Sequence, residues 1–262
     1  MKGCTANEQL TKLLKEEVDV LLHKPRLVKK KKIRPTQFHR ERSLRDWLVF
    51  NYLDEFLERY SDLYKGTLVD LGCGEAPYRP YFLQFVDKYV GVDWVESAQY
   101  KPDVISDLNR KIELPDDFAD TLISISVLEH LCEPQRFLNE CFRILKKGGY
   151  MFIQVPWQWW VHSEPHDYFR YTPFALDYML RKSGFIDIKV EPAGGIFSTI
   201  VLKLNYLSSR FIRGPLYVRL LVKYVLVPFW TIGQLIAPML DKLDKRKINE
   251  AVGYFVIARK PF

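Results

Sequence analysis

Two hydrophobic patterns alternate along the chain. Short, nearly uninterrupted apolar runs cover residues 67–71, 88–94, 121–131, 150–156, 185–192 and 251–261. Apolar positions at helical spacing cover residues 46–60, 133–147 and 173–183. Strands that are apolar throughout and alternate with helices are typical of a parallel sheet with both faces covered. The pattern therefore predicts an α/β fold built on a doubly wound sheet.

Polar side chains collect where the predicted strands end. Asp70 and Asp93 close the first two runs, residues 126–130 lie at the end of the third, and residues 157–172 follow the fourth. In doubly wound sheets, ligands bind outside the carboxyl ends of the strands. We therefore expect one edge of the sheet to carry the functional site.

A glycine-rich turn, DLGCGEAP, follows the first strand. Gly72 and Gly74 let the backbone approach a ligand closely and offer amide groups to it. Asp93 lies 23 residues after Asp70 (93 − 70), where an acid can accept hydrogen bonds from both hydroxyls of a ribose. This combination fits NAD as well as S-adenosyl-L-methionine, so the pattern alone leaves the cofactor open between them.

Four segments carry a family resemblance. LVDLGCGEAP, GVDW, SDLNRKIELPDDFADTLISISVLEHL and RILKKGGYMFIQVP resemble the successive motifs of class I S-adenosylmethionine-dependent methyltransferases, most closely the type 11 subgroup. The resemblance covers residues 67–185 and the last strand. It implies a Rossmann-like, seven-stranded sheet whose last two strands form a hairpin, with S-adenosylmethionine as cofactor. A dinucleotide site would want a third glycine near position 77, where this chain has Pro77.

The resemblance assigns roles at the cofactor end. Asp70 and the Gly72–Gly74 backbone would hold the methionine portion, Asp93 the ribose, and Asp107 the adenine amino group. The full set of expected cofactor residues is Asp70, Gly72, Cys73, Gly74, Asp93, Trp94, Asp107, Leu108 and Ser126. Glu75 and Ala76 depart from the commoner family residues, but an acid beside a cationic sulfonium is electrostatically tolerable. Cys73 has no visible base beside it, so we expect a small filler rather than a nucleophile.

The loop WQWWVHSEPHDYFRYTP, residues 157–173, supplies the acceptor-side candidates. His166 is the first choice for a general base, since an unperturbed histidine pKa lies near ~6.5. Asp167 is expected to orient its ring, and Arg170 to bind a phosphate or carboxylate of the acceptor. The alternative is a structural clasp in which Asp167 and Arg170 pair with each other.

Aromatic residues of the same loop are expected to shape the acceptor site. Tyr168 and Tyr171 could stack on a sugar or aromatic ring, and Trp157, with Trp159 and Trp160, would form an apolar wall that excludes water. His130, in LEHL, is the second candidate base, although tying strand to helix is its favoured role. His162 is interpreted as less well placed than either histidine.

Charge and hydropathy single out two additions to the domain. Residues 1–45 are expected to form an N-terminal helix and a basic arm ahead of a methyltransferase domain at 46–262. Residues 24–34 contain seven basic residues and no acid, which equals the net charge of +7. Such a run suits a phosphate or anionic-lipid surface, or a solvated flexible arm.

The second addition is an apolar, helical insertion at about 193–249, before the last strand. Residues 196–240 contain five basic residues and no acid, and residues 224–240 have no charge at all. A spanning helix needs ~20 apolar residues, and Pro228, Gly233 and Pro238 are expected to break this shorter run. An interrupted helix pair lying in the membrane interface is therefore favoured, with a dimer interface or an active-site lid as alternatives.

These features predict an enzyme with a small-molecule or lipid-linked acceptor. We expect O-methylation of a lipid-linked or cell-surface glycan precursor by a cytoplasmic protein bound peripherally to the inner face of the membrane. The four cysteines form no metal-ligand spacing, so reduced thiols and no metal are expected. No signal peptide is recognised. RNA methylation, a non-catalytic cofactor-binding module and a homodimer remain as alternatives.

Overall fold

The computed structural model describes residues 33–96 and 100–262, apart from the Lys247 side chain. The predicted N-terminal helix and most of the basic arm lie outside the described residues. The strands are β1 (Thr67–Leu71), β2 (Lys88–Asp93), β3 (Val104–Ile105), β4 (Ala119–Ile125), β5 (Leu145–Pro156), β6 (Ile186–Ala193) and β7 (Gly253–Arg259). The α-helices are α1 (Trp47–Arg59), α2 (Arg79–Phe82), α3 (Pro134–Ile144), α4 (Pro173–Lys182), α5 (Ile196–Ser209) and α6 (Leu216–Leu240).

The strands form one seven-stranded sheet in the order β3-β2-β1-β4-β5-β7-β6. Strands β1 to β5 are parallel, and β7 is antiparallel to both β5 and β6. This arrangement confirms the predicted α/β sheet and the hairpin of the last two strands. Strands are added on one side of β1 up to β3 and on its other side from β4 onward, so the carboxyl ends of β1 and β4 border the crevice where ligands bind in such sheets.

Both faces of the sheet are covered, which explains why its central strands are apolar throughout. Val69 faces a core shared with Phe137 of α3 and Leu176 of α4. Its neighbour Leu68 faces the other core, which includes Phe56 of α1. Successive strand residues point to opposite faces, so a strand buried on both needs apolar residues at every position.

The starts of two helices follow from their local chemistry. Pro134 opens α3, and the Thr172 side chain caps α4 by accepting from the Ala175 amide at 3.1 Å. The end of the helix predicted over residues 133–147 is wrong. The helix ends at Ile144, and β5 already begins at Leu145, because Ala119 of β4 pairs with that residue.

The predicted break within the insertion is also wrong. Helix α6 continues through both Pro228 and Pro238. Its inner face is held by tertiary contacts: Trp230 donates to Ser208 of α5 at 2.8 Å, and Gln234 accepts from the Leu48 amide at 3.0 Å. Such packing offsets the ~3 kcal/mol that an interior proline costs a helix. Gly233 does not break the helix: it lets α5 approach, since a Cβ there would lie 3.0 Å from Val201 Cγ1.

Among the described residues, α6 is one helix long and apolar enough, by length and composition, to cross a membrane. Its 25 residues extend about 37 Å at 1.5 Å per residue. Only a narrow stripe faces the domain, formed by Trp230, Gln234 and Ala237. The remainder of the helix is largely exposed apolar surface.

Candidate functional site

The glycine loop after β1 has the backbone shape that the sequence predicted. Gly72 has φ +80°, and a Cβ there would lie 2.4 Å from Val127 Cγ2. Gly74 has φ +53° and open space where a Cβ would project. The Gly72 and Cys73 amides both donate to the Val92 carbonyl, at 2.8 and 3.1 Å. The loop is therefore tied to β2 and leaves a cradle that a side chain at position 74 would fill.

Asp93 joins the loop to the end of β2. Its Oδ2 accepts from the Gly74 amide at 2.7 Å, and its Oδ1 accepts from the Trp94 amide at 2.7 Å. A carboxylate has room for further donors, so these bonds leave Asp93 able to accept from vicinal hydroxyls. Trp94 is 63% exposed and offers a ring face next to this carboxylate.

Asp70 lies beneath the loop, where it is only 2% exposed. The Tyr89 hydroxyl donates to its Oδ2. Burial raises the pKa of Asp70 to about 7, and the hydrogen bond from Tyr89 opposes that rise. The buried position of Asp70 fits a role in supporting the glycine loop on the side that faces the core. The Cys73 thiol is also buried, and burial raises its pKa far above its usual range, so it does not behave as a nucleophile.

Two further expected cofactor residues follow β3. Asp107 is exposed; its Oδ1 accepts from the Asn109 amide at 2.9 Å, and Oδ2 pairs with Arg110 at 3.2 Å. The neighbouring Leu108 side chain is buried in the core. Asp107 therefore shapes a turn on the β2–β3 side of the sheet edge, where its remaining lone pairs stay open to solvent.

Ser126 links the ends of β4 and β5. It has φ +53°, and its hydroxyl donates to Gln154 Oε1 at 2.6 Å while its amide donates to the Gln154 carbonyl at 3.0 Å. Gln154 was not among the residues predicted for the site. A polar residue interrupting the apolar run of β5 was the signal that could have found it.

A cavity of about 1150 Å³ opens between the glycine loop and the loop after β5. Ser126 and Gln154 lie on its wall, as do Trp159, Trp160 and His162. Residues 38–53, which precede and begin α1, supply much of the remaining lining, including His39 and Tyr52. This contribution was not predicted, because nothing in an amphipathic helix pattern says that its entry segment borders a cavity.

Two tryptophans of the predicted aromatic wall, Trp159 and Trp160, line the cavity. Trp159 and Trp160 stack at 3.9 Å, and Trp160 stacks on Tyr206 of α5 at 3.7 Å with the rings 8° apart. The Arg45 guanidinium lies 5.7 Å from both the Trp160 and Tyr206 ring centres. Trp157 differs from its neighbours: it packs against the core, and its amide donates to the Val252 carbonyl at 2.9 Å. The stack connects the cavity to the helical insertion.

The structure places the three histidines that are candidates for the general base differently from their predicted ranking. His166 is exposed, its ring centre lies 5.7 Å from that of Trp94, and it is not among the described residues lining the cavity. His130 Nδ1 donates to the His166 carbonyl at 2.6 Å, which ties the turn after β4 to the long loop. Burial lowers the pKa of His130. His162, interpreted from sequence as the least favourable, is the one that lines the cavity.

Asp167 and Arg170 form the clasp that was the alternative prediction. Arg170 donates to both Asp167 oxygens, at 2.5 and 2.8 Å, and to the Trp160 carbonyl at 3.0 Å. The Asp167 carboxylate contacts His162 and not the His166 ring, so it does not orient the expected base. Hydrogen bonds from Arg170 hold the pKa of Asp167 well below its usual range. The pair therefore stabilises the loop from within.

The two tyrosines of the loop also separate. Tyr168 is exposed, and its hydroxyl lies 3.1 Å from His166 Nδ1. Tyr171 is buried, and its hydroxyl donates to the Leu128 carbonyl at 3.1 Å, so it is a core residue rather than a stacking surface. The spacing in YFRYT could not distinguish the two, because the packing of Tyr171 depends on the distant turn at Leu128.

The sequence predicted no metal site, but folding brings three potential ligands together. Glu129, His130 and His162 each place one ligand atom within 4.8 Å of the other two. Residues 129 and 162 are separated by β5 and part of the loop, so spacing along the chain gave no signal.

Comparison with known proteins agrees with the site geometry. Residues 69–153 match the model of the type 11 methyltransferase domain. A probable S-adenosylmethionine-dependent methyltransferase of Mycolicibacterium smegmatis is 28% identical over 34% of this chain and 37% of its own length. A ubiquinone biosynthesis O-methyltransferase of Nitrosomonas europaea is 26% identical over 51% of this chain and 58% of its own length.

Solved structures support the same fold. A SAM-dependent methyltransferase from Archaeoglobus fulgidus superimposes with a TM-score of 0.53 at 21% identity, covering 82% of this chain and 94% of that one. The chain aligns with less than two thirds of the length of these two curated relatives, and the family model matches residues 69–153, from β1 to β5.

Proposed function

We propose that this chain, which carries a class I S-adenosylmethionine-dependent methyltransferase domain of type 11, methylates a hydroxyl of a lipid-linked or cell-surface glycan precursor at the cytoplasmic face of a membrane. When bound, the cofactor supplies an electrophilic methyl group, whose transfer to a hydroxyl yields a methyl ether, S-adenosylhomocysteine and a proton. The observation that carries the proposal is the continuity of glycine loop, cavity and exposed apolar helices.

The cofactor end suits that group. The open position beside Gly74 leaves room for the methionine portion, and Asp93 can accept from the ribose hydroxyls. Trp94 and Asp107 lie on the β2–β3 side, where adenine would bind. In this arrangement the chain's residues hold and orient the cofactor, while the buried Asp70 supports the loop.

The acceptor end suits a large, partly apolar molecule. Ligand cavities commonly measure ~300–1,000 Å³, and this one is at least as large. The Trp159–Trp160–Tyr206 stack gives it an aromatic side on which a sugar or another ring can lie. Holding the acceptor in line with the cofactor can supply ~7–11 kcal/mol of the barrier.

The helical insertion suits a membrane surface. Most of α6, one side of α5 and the turn between them expose apolar residues, among them Leu204, Phe211, Tyr224 and Phe229, each more than half exposed. Monomeric soluble proteins rarely expose patches beyond a few hundred Å². Because Tyr206 of α5 stacks on Trp160 of the cavity wall, a molecule held in the membrane would meet the cavity at the base of this surface.

An orientation along the membrane plane fits the charges better than a span. The α5–α6 turn and the start of α6 carry four exposed basic residues: Arg210, Arg213, Arg219 and Lys223. A basic residue at the centre of a bilayer costs ~2.5–3.5 kcal/mol on insertion scales, and this turn would have to cross it. At the interface, the same residues attract anionic headgroups, worth ~1 kcal/mol each.

A hydroxyl acceptor is supported by one of the relatives. The Nitrosomonas europaea protein is named as an O-methyltransferase, and its similarity extends over about half of this chain. Methylation of a hydroxyl needs a group that accepts the released proton. Of the three histidines His130, His162 and His166, His162 is the one that lines the cavity, so it replaces His166 as the first candidate for that role.

Transfer of a labelled methyl group tests the proposal. Purified protein and labelled cofactor are incubated with an extract of the source cells, and the label is partitioned into organic, RNase-sensitive, protein and small polar fractions. We expect label in the organic fraction, on a product from which cleavage of the glycan also releases the label. Label in an organic product that contains no sugar would mean that the acceptor is a lipid-linked hydroxyl other than a glycan. Label confined to the RNase-sensitive fraction would contradict the acceptor class.

A further inference from the structure

Glu129 is a buried acid for which the methyltransferase site gives no use. It lies in the turn after β4 and has no solvent exposure. Neither carboxylate oxygen has a hydrogen-bond partner among the described residues. Burying a polar group without a compensating bond is costly, so such orphaned atoms usually mark a missing partner. The Glu129 carboxylate therefore lacks a partner, which the described residues do not supply.

His130 presents a ring nitrogen to this carboxylate. Its Nδ1 donates to the His166 carbonyl at 2.6 Å, and a carbonyl can only accept, so Nδ1 carries the proton. The neutral ring then has its lone pair on Nε2, which lies 3.7 Å from Glu129 Oε1. A carbonyl that holds the far nitrogen of a histidine is the usual arrangement behind metal-binding histidines.

His162 completes the group from the other side. Its ring centre is 4.8 Å from that of His130, with the rings 75° apart. Its Nδ1 lies 3.2 Å from the Trp160 carbonyl and 3.3 Å from Asp167 Oδ2, two acceptors that favour a proton on Nδ1. Arg170 holds Asp167 in place. The loop clasp therefore orients this second imidazole.

No cationic side chain is bonded to Glu129 among the described residues. Its neighbour Arg170 is paired with Asp167 instead. The geometry points to a divalent-cation site formed by Glu129, His130 and His162, with zinc as the favoured ion. Two histidines and one glutamate form a known zinc ligand set that leaves a further position open.

Binding of an ion requires the three ligand atoms to move only slightly closer together. Ligands ~2.0–2.1 Å from zinc in a tetrahedral site lie roughly 3.3 Å from one another. The His130–Glu129 pair is already at 3.7 Å, and the widest separation is within 4.8 Å. Because His162 lines the cavity, an ion bound to it would lie at the cavity wall.

A role for the ion rests on the proposed function. A bound zinc ion would take the acceptor hydroxyl at its open position and lower the pKa of that hydroxyl. With the ion bound, His162 would be a ligand rather than the proton acceptor, so the proton would leave to solvent and the resulting oxygen would accept the methyl group. The orphaned Glu129 and the paired histidines would thereby serve the same reaction as the cavity.

Metal binding is tested first, in experiments that do not measure methyl transfer. Tag-free full-length protein is stripped with a chelator, dialysed and titrated with Zn²⁺ by calorimetry, and with Co²⁺ by its visible absorption. We expect one ion per chain and a cobalt spectrum of low coordination number. Glu129→Gln and His162→Gln should each weaken zinc binding at least about tenfold, whereas His39→Gln should retain it.

Two further readouts separate this inference from the proposed function. S-adenosylhomocysteine binding is measured on every variant, and its retention shows that the fold and the cofactor site are intact. No zinc binding by the intact wild type, or equal binding by Glu129→Gln and His162→Gln, would overturn the metal site. Methyl transfer at an unchanged rate by zinc-free protein would overturn the role of the ion at the acceptor.

Discussion

The cofactor end and the acceptor end of the site are assembled in different ways. At the cofactor end, Gly74 and Asp93 are joined by one hydrogen bond between adjacent strand ends. At the acceptor end, Trp160 stacks on Tyr206 of α5, and Asn205 beside it donates to the Arg45 carbonyl, 160 residues away in the chain. Enzymes with many different acceptors can share the first arrangement. The second depends on the helical insertion that this chain carries.

The largest expected effect lies at the cofactor end. Replacing Asp93 with alanine removes the acceptor for the ribose and the tie to the Gly74 amide. Hydrogen bonds to charged groups contribute about 1.5–3 kcal/mol each, so we expect affinity for S-adenosylhomocysteine to fall about 100-fold or more. Calorimetry on Asp93→Ala and on the control Asp177→Ala, which alters an exposed carboxylate of α4, measures the difference. A loss below about threefold would contradict the assignment.

The loop clasp gives a stability effect rather than a binding effect. In Arg170→Ala the Asp167 side chain, which is 2% exposed, loses its bidentate partner. Removing one partner of a buried pair costs about 3–5 kcal/mol, and we expect a somewhat smaller loss of about 2–4 kcal/mol here because Arg170 is partly exposed. Urea unfolding measures it, with Arg181→Ala of the exposed Asp177 pair as control. Unchanged stability combined with a raised KM for the acceptor would instead support the original prediction that Arg170 binds substrate.

The apolar hairpin gives the next effect. Replacing Leu220 and Phe229 together with glutamate removes two exposed apolar side chains from α6 and adds two negative charges. Each buried side chain of this size contributes about 1.5–3 kcal/mol, so flotation with anionic vesicles should fall at least about tenfold. Phe174→Glu, an equally exposed change on α4, should float as the wild type does. Equal flotation of all three proteins, or a shift from dimer to monomer without vesicles, would favour a protein interface.

A smaller effect concerns the pH dependence of folding. The folded-state pKa of Asp70 is about 7, above its ordinary value, so the folded protein binds more protons than the unfolded chain between these limits. The contribution of this group to stability is therefore present at low pH and is lost as the pH rises from about 4 to about 7. Asp70→Asn should remove roughly 1–4 kcal/mol of this decline, measured by urea unfolding at pH 5 and pH 8. An identical decline in wild type and variant would contradict the buried state of Asp70.

The smallest effect is expected at Cys73. Its buried thiol packs below Gly91, where a Cβ would lie 2.9 Å from Cys73 Sγ. Cys73→Ala should leave the rate of methyl transfer within about threefold of the wild type and lower stability by about 1 kcal/mol. Loss of turnover with intact cofactor binding would show that the thiol has a chemical role.

Much of the cofactor end was predictable because its signals are local. Positive φ at Gly72 and Gly74 favours glycine, and Asp93 ends its strand, so residue type and spacing carry the information. The exception is Asp70, which lies below the loop. Its burial depends on Tyr89, a residue of the neighbouring strand.

The acceptor end was predictable only in outline, because its contacts join distant segments. The sequence of residues 157–173 identified a functional loop, but whether Asp167 meets His162 or His166 depends on how that loop folds over β4. Likewise, the prolines of α6 suggested a break, and the helix persists because Trp230 and Gln234 pack against α5 and the segment entering α1.

One assay tests the cofactor site and the exposed apolar surface of α6 together. Transfer of labelled methyl groups into membrane vesicles from the source cells is compared for the wild type, the Leu220→Glu/Phe229→Glu variant and Phe174→Glu, before and after detergent solubilises the acceptor. The account predicts a slower rate for the hairpin variant on intact vesicles, with unchanged cofactor KM, and recovery of the wild-type rate in detergent. Equal rates on intact vesicles would contradict delivery of the acceptor from the membrane.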